Sequence, residues 1–316
     1  MNFEQASTKI NQILNEVKKA IIGKDEVLKY VMAGILSNGH ILFEDLPGLG
    51  KTLMIRTFGQ ATGLDFSRIQ FTPDLLPADI SGISMFNMSS NQFEFRQGPV
   101  FTNLLLADEI NRATPKTQSA LLESMQERTV TVDGNTYSLD PPFIVLATQN
   151  PLEYEGTFTL PEAQLDRFLM KLSVGYPSKK DEMQIVRNRV DRKKEEVDID
   201  TVATKEDVLA LQRLVEEVHV SDPIIEYAVT IVEKTRNHGQ IAVGASPRGS
   251  LGLIQASKAW ALLNGRDFVN PQDIQDVLIP VLGHRIILRS GDIISGVNAG
   301  TILTEIFHRI PAPRVV

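Results

Sequence analysis

Two kinds of hydrophobic pattern divide the chain. Within residues 1–176, short apolar runs bounded by turn residues alternate with segments of helical spacing, starting with an amphipathic helix in residues 1–20. This alternation predicts an α/β fold with a parallel sheet, its strands being His40–Phe43, Ile69–Phe71, Leu104–Glu109, Phe143–Thr148 and Phe168–Val174. After residue 176 the strand pattern disappears. Residues 177–316 are therefore predicted to form a smaller, all-α second domain.

Two β-hairpins are predicted as insertions in the first domain. Ile83–Met88 and Gln92–Arg96 alternate on either side of a polar turn, and Thr129–Val132 and Thr136–Ser138 flank an Asp-Gly turn. The first hairpin has two interpretations that the sequence leaves open. It either extends a sheet edge or projects as a loop that touches a substrate through apolar residues near its tip, which are Met85, Phe86 and Phe93.

The stretch Glu44–Thr52 has the features of a phosphate-binding loop between a strand and a helix. Gly48 and Gly50 allow backbone N–H groups to approach a polyphosphate at a helix N-terminus. We expect Lys51 to reach the β and γ phosphates and the Thr52 hydroxyl to hold Mg²⁺. The remaining nucleotide-binding positions predicted here are Pro47, Leu49 and Leu53.

One position departs from the general motif, because Asp45 stands where a P-loop usually has glycine. The departure puts the tightness of the first turn in question more than phosphate binding itself. The alternative interpretation is a glycine-rich turn that binds nothing. The strand before the loop and the helix after it favour the phosphate site.

Polar residues at the ends of two later strands predict the second half of an active site. Asp108 and Glu109 end an apolar run, and ligands of open α/β sheets bind at the carboxyl ends of the strands. We expect Asp108 to hold Mg²⁺ and Glu109 to act as general base toward water. Asn150, after the next strand, is placed to sense the γ-phosphate.

Three further positions have both a structural and a functional interpretation. Ile22 and Gly23 are either a joint between two helices or part of an adenine pocket. Arg167, just before the last core strand, either pairs with Asp166 or projects across a subunit boundary.

Composition excludes several classes of function. The net charge of −7 and a pI of about 5.4 disfavour a nucleic-acid-binding surface. The absence of cysteine rules out disulfides and thiolate metal sites, and no window approaches the roughly 18 apolar residues of a membrane span. A cytoplasmic protein without a membrane span is expected, with Mg²⁺ bound only together with nucleotide.

Five segments together resemble the AAA+ ATPases and, within them, the MoxR family. They are Glu44–Thr52, Asp108–Ala113, Ala147–Pro151, Glu162–Phe168 and Gly244–Arg248, and the resemblance as a whole extends over nearly the whole chain. The resemblance implies an AAA+ P-loop core with hairpin insertions followed by a helical lid, and ATP with Mg²⁺ as ligands. It also implies that Asn150 is the first sensor, Arg167 an arginine finger and Arg248 the second sensor.

The same resemblance implies a biological role. MoxR-like proteins are similar to chaperones that mature or activate other proteins, often with a partner that bears a von Willebrand factor A domain. The leading hypothesis is therefore an ATPase that forms a hexameric ring and remodels a protein client. A nucleotide-gated assembly scaffold and, less favoured by the acidity, a nucleic-acid motor are the alternatives.

Overall fold

The computed structural model describes residues 1–151 and 156–313, and it confirms the predicted α/β core followed by a helical region. The strands are β1 Ile41–Glu44, β2 Phe66–Gln70, β3 Gly82–Asn87, β4 Gln92–Gln97, β5 Leu104–Asp108, β6 Thr129–Val132, β7 Asn135–Ser138, β8 Ile144–Gln149, β9 Met170–Leu172, β10 Ile241–Val243 and β11 Ile287–Leu288. The helices are α1 Phe3–Lys18, α2 Asp25–Leu36, α3 Lys51–Thr62, α4 Pro77–Ser81, α5 Pro115–Glu127, α6 Glu162–Leu165, α7 Lys179–Arg192, α8 Lys205–Glu217, α9 Asp222–Arg236, α10 Pro247–Leu263, α11 Pro271–Leu282, α12 Ser290–Ile294 and α13 Ala299–Arg309.

A parallel sheet of five strands forms the core, in the order β2-β5-β8-β1-β9. Its central strands β1, β5 and β8 are almost wholly buried, which explains why they are continuous apolar runs rather than alternating ones. Because all five strands run in the same direction, their carboxyl ends meet at one edge of the sheet. The predicted strands are all present, with β2 longer and β9 shorter than expected.

The two predicted hairpins are present as separate antiparallel pairs, β3 with β4 and β6 with β7. They contact each other, since the ring of Phe95 in β4 stacks on Tyr137 in β7 with centroids 4.2 Å apart. Near the polar turn of the first hairpin, two apolar side chains are open to solvent, with Met88 88% and Phe93 74% exposed. The first hairpin therefore projects from the core.

The region after residue 176 is helical, as predicted, and four of its helices begin after a capping residue. Ser178, Thr204, Ser246 and Asn270 each accept a backbone N–H of the following helix. The expectation that strands disappear there was wrong in one place, because β10 and β11 form a small antiparallel pair. With three and two residues, these strands are too short for periodicity to reveal.

The helical region packs against the amino-terminal helices of the core. Helix α10 contacts both α1 and α2, and a single apolar cluster runs from Ile10 of α1 through Met32 of α2 to Leu253 of α10. The two regions on either side of residues 176 and 177 thus share one hydrophobic core. The predicted domain boundary at this point stays a prediction. In the described ranges, no helix is both long and apolar enough to cross a bilayer.

Candidate ATP-binding site

The loop between β1 and α3 has the backbone that a phosphate cradle requires. Gly48 and Gly50 both have φ of +81°, the left-handed region that residues with a side chain rarely adopt. A Cβ atom added at either glycine would meet no atom within 4 Å. The left-handed backbone conformation, and not a lack of space for a side chain, therefore explains why glycine occupies these two positions. No side chain caps the start of α3, so its first N–H groups remain available to an anion.

Asp45 occupies the position of the missing P-loop glycine because its carboxylate ties the loop to the end of β9. Its Oδ2 accepts the backbone N–H groups of Val174 at 2.5 Å and Gly175 at 2.7 Å, and the Ser173 hydroxyl at 3.2 Å. Its Oδ1 accepts the N–H of Leu46 at 2.9 Å. The carboxylate thus anchors the loop, which answers the question that the departure from the motif raised.

Lys51 is held back against its own loop. Its Nζ donates to the carbonyl oxygen of Leu46 at 2.6 Å and more weakly to that of Asp45 at 3.4 Å, and the residue is only 8% exposed. Burial lowers the pKa of the Lys51 ammonium, whereas the carboxylates of Asp45, Asp108 and Glu109 oppose that shift. Phosphate oxygens would replace the carbonyl acceptors and give the buried cation an anionic partner.

Thr148, at the end of β8, organises the two acidic residues at the end of β5. Its hydroxyl donates to Asp108 Oδ1 at 2.6 Å and accepts the backbone N–H of Glu109 at 2.8 Å. The other carboxylate oxygen of Asp108 pairs with Arg68 Nη2 at 2.7 Å, from the neighbouring strand β2. One buried hydroxyl therefore fixes both carboxylate-bearing residues relative to β8.

Glu109 lies in a strained backbone conformation. Its φ of +57° is left-handed, which is uncommon for a residue other than glycine and costs of the order of 1 kcal/mol. Its Oε2 accepts Gln70 Nε2 at 2.6 Å and Arg112 Nη1 at 3.1 Å. Strain of this kind persists where the surroundings fix it and is typical of functional sites.

These residues surround one cavity of about 460 Å³. It brings together most of the predicted nucleotide-site residues, which are Pro47, Gly48, Leu49, Gly50, Lys51, Thr52, Leu53, Asp108, Glu109 and Asn150. Ile22 and Gly23 do not line it. Gly23 has φ of +71°, and a Cβ there would lie 2.3 Å from Cγ of Asp181 in α7, so close packing is one reason for glycine at this joint. Their adenine-pocket role stays a prediction.

The two predicted arginines lie elsewhere. Arg167 and Arg248 line a second cavity of about 290 Å³, to which Arg128 and Arg285 also contribute. Within residues 1–151 and 156–313, the guanidinium groups of Arg167 and Arg248 form no hydrogen bond or salt bridge. The hydroxyl of Ser246, the cap of α10, donates to Asp166 Oδ2 at 3.1 Å and so ties the start of α10 to the residue before Arg167. The sensor role of Arg248 and the finger role of Arg167 stay predictions.

Comparison with known proteins places the chain in a family. Residues 40–170 match the model of the ATPase family associated with various cellular activities (AAA), and residues 233–306 match that of the AAA lid domain. Chaperone MoxR1 of Mycobacterium tuberculosis is 42% identical over 97% of this chain and 83% of its own length. The chain belongs to the MoxR family of AAA ATPases. Uncharacterized protein YeaC of Bacillus subtilis is 47% identical over 96% of this chain and 95% of its own length.

A solved structure agrees with this MoxR-family fold. The protein, from Cytophaga hutchinsonii, is 40% identical and superposes with a TM-score of 0.93 over 99% of this chain and 97% of its own. Membership of the AAA ATPases implies ATP with Mg²⁺, and the donor set fits both ligands. The buried Lys51 and the open cradle at Gly48 and Gly50 suit phosphates, and the Thr52 hydroxyl with the Asp108 carboxylate suits a hard cation.

Sequence reasoning missed several polar residues of this MoxR-family site, namely Arg68, Gln70, Thr148 and Gln149. Arg68 and Gln70 alternate along β2, a period of two that places both side chains on one face of the strand. The sequence alone shows that alternation. It does not show that the two side chains belong to the site, because this depends on the pairing of β2 with β5, in which Gln70 lies opposite Asp108.

We expect Asp45→Asn to lower the free energy of unfolding by about 1–3 kcal/mol, measured by urea unfolding. The carboxylate accepts four donors with two oxygens, whereas the amide has one acceptor oxygen and directs an NH₂ group at the remaining donors. Asp191→Asn, at an exposed carboxylate on α7, is the matched control and should change stability by less than about 0.5 kcal/mol. Equal stability of the two variants would contradict the anchoring role of Asp45.

Proposed function

We propose that this chain is one subunit of a homo-oligomeric ring, a hexamer, that hydrolyses ATP to ADP and phosphate and uses turnover to remodel or mature a protein client. The observation that carries the proposal is the division of the charged machinery between two cavities. The phosphate-binding and acidic residues line one cavity, and Arg167 and Arg248, which pair with no other residue in the described ranges, line the other. A second copy that brings its arginines to the first cavity would complete the site.

The residues of the first cavity have distinct roles in this proposal. Lys51 and the N–H groups at the start of α3 bind the phosphates, and Asn150 contacts the γ-phosphate and aligns the attacking water. Mg²⁺, held by Thr52 and Asp108, supplies charge neutralisation when bound. Glu109 takes the proton of the attacking water, and its neighbours Gln70 and Arg112 hold the carboxylate in position.

The arginines supply the charge that the first cavity lacks. Among the described residues that line that cavity, the cations are Lys51, which binds the phosphates in this proposal, and Arg68, which is paired with Asp108. A further cation is therefore needed for the additional charge that develops on the γ-phosphate during hydrolysis. Arg167 and Arg248, as finger and sensor, would do so for the ATP of the adjacent subunit.

The client-directed part of the proposal rests on the family and on one surface. A relative with 42% identity carries the name chaperone MoxR1. The tip of the hairpin β3–β4 exposes Met88 and Phe93 to solvent, and exposed apolar patches commonly mark protein contacts. We propose this tip as the client contact, with a protein that bears a von Willebrand factor A domain as a further partner.

Glu109→Gln should bind ATP as the wild type does and hydrolyse it roughly 10²-fold or more slowly, because an amide cannot accept the proton of water. The amide oxygen can still accept Gln70 and Arg112, so the local structure should persist. Steady-state phosphate release with and without a candidate client measures the effect. Glu123→Gln, at an exposed glutamate of α5, serves as the matched control. Unchanged turnover in Glu109→Gln would favour the scaffold hypothesis, in which hydrolysis is incidental.

Arg167→Ala should retain ATP affinity and lose about 10³- to 10⁵-fold in hydrolysis, the usual contribution of an arginine finger. Mixing it with Lys51→Ala, which lacks the phosphate-binding charge, should restore part of the activity. Mixed rings contain interfaces at which an intact phosphate site meets an intact arginine. Arg213→Ala, at an exposed arginine of α8, should behave like the wild type.

Two results would contradict the ring proposal. One is a mixture that gains no activity although both variants co-assemble, and the other is wild-type turnover per subunit that stays constant on dilution well below the assembly range. Either result would show that Arg167 does not act on a neighbouring subunit.

A further inference from the structure

A buried arginine with no role so far connects the helical region to the segment that carries Arg167. Arg285 follows the end of α11, and its side chain is 4% exposed. Its Nε donates to Asp166 Oδ1 at 2.8 Å, its Nη1 to the carbonyl oxygen of Leu169 at 3.0 Å and its Nη2 to that of Phe168 at 2.6 Å. One guanidinium therefore forms hydrogen bonds to the residues on both sides of Arg167.

The neighbouring histidine strengthens the same attachment. His284 donates its Nε2–H to the carbonyl oxygen of Phe168 at 3.1 Å, and burial lowers the pKa of its ring, which keeps the imidazole neutral. The carbonyl of Phe168 thus accepts from both Arg285 and His284. The backbone directly after Arg167 is held by two donors from the helical region.

Asp166 extends the connection to Arg248. Its Oδ2 accepts the Ser246 hydroxyl, and the Ser246 oxygen in turn accepts the backbone N–H of Arg248 at 3.1 Å. The carboxylate therefore joins Arg285 to the first turn of α10. A chain of hydrogen bonds links the backbone positions of Arg167 and Arg248, with Arg285 and Asp166 at its centre.

Two glycines of α10 bring that helix close enough to complete this arrangement. A Cβ at Gly252 would lie 3.3 Å from Cγ1 of Val281 and 3.5 Å from Cδ1 of Leu169, and one at Gly249 would lie 3.0 Å from Cδ2 of Leu282. The helix therefore packs tightly on α11 and on the segment after Arg167. Movement of α10 relative to Arg167 would require repacking these contacts.

Holding two segments together with a buried cation costs desolvation free energy. Burial lowers the pKa of Arg285, the charge of Asp166 opposes this effect, and the nearby cation of Arg248 adds to it. Apolar residues of similar volume often hold such a junction equally well or better. An apolar residue, however, has no hydrogen-bond donors. The planar guanidinium of arginine has several donors in a fixed geometry, which set the position of the backbone segment that accepts them.

We propose that Arg285 is a positioning residue, which fixes Arg167 and Arg248 relative to each other so that both guanidinium groups meet the phosphates of one ATP held by a second copy of the chain. The inference rests on the proposed function, since it requires that Arg167 act in hydrolysis. In this role, the guanidinium of Arg285 is occupied by Asp166 and by the carbonyl oxygens of Phe168 and Leu169. It acts through the segment 166–169 and through the cap of α10.

The test compares Arg285→Met, which keeps an unbranched apolar stem and removes the guanidinium donors, with Arg285→Lys, which keeps the charge but not the planar set of donors. In the assembled protein, we expect Arg285→Met to bind ATP with unchanged affinity and to lose about 10²-fold in kcat, as misplaced catalytic groups do. Arg285→Lys should fall between Arg285→Met and the wild type. Tyr30→Phe removes a hydrogen bond to the carbonyl of Asp276 in α11, away from Arg167, and should retain wild-type kcat.

Mixed assemblies separate positioning from general structural damage. Arg285→Met has an intact phosphate site, so mixing it with Lys51→Ala should recover activity, whereas mixing it with Arg167→Ala should recover none. Equal loss in both mixtures would overturn the inference, because it would indicate a merely structural role. If Arg285→Met does not fold, as judged by thermal unfolding, Arg285→Lys decides by the same criteria.

Different results would contradict the proposed function and the positioning role of Arg285. Wild-type hydrolysis by Arg167→Ala would overturn the proposed function and this inference with it. Impaired Arg167→Ala together with wild-type kcat in both Arg285 variants would overturn this inference alone.

Discussion

The parallel pairing of β1 with β8 on one side and β9 on the other is the constraint on which the site depends. Strand β1 ends in the phosphate loop, β8 delivers Thr148 and Asn150, and the end of β9 supplies the N–H groups that Asp45 accepts. Because parallel strands end at the same edge, residues distant in sequence converge there. The buried β1 thus positions the loop, and the adjacent strands hold it in place.

Charge is distributed unevenly around this framework. The edge of the sheet gathers Asp45, Asp108 and Glu109 around one buried ammonium, and nearby Arg68 is already paired with Asp108. The positive charge of Arg167 and Arg248 lies in a separate cavity, which is also lined by the ion pair of Arg285 with Asp166. In our account, this separation couples catalysis to assembly, since neither cavity has the full set of charges.

The sequence was sufficient to predict structural features that depend on residues close together in the chain. Turn residues and alternation predicted both hairpins, and the loss of strand alternation after residue 176 predicted the helical region. Features that depend on distant contacts were not predictable. Asp45 bonds to Val174, 129 residues later, and Asp166 to Arg285, 119 residues later. No local pattern indicates such partners, which is why the location of Arg248 had to come from the structure.

The central claim is that one ATP is served by two subunits, and a cryo-electron microscopy structure of the assembled Glu109→Gln variant with ATP and Mg²⁺ tests it most directly. The measurement is the distance from each arginine to the phosphate oxygens. The account predicts that Arg167 and Arg248 of one subunit lie within about 3 Å of the phosphates bound by Lys51 of the next. Contact of Arg248 with the ATP of its own chain, or an assembly in which neither arginine reaches a nucleotide, would contradict it.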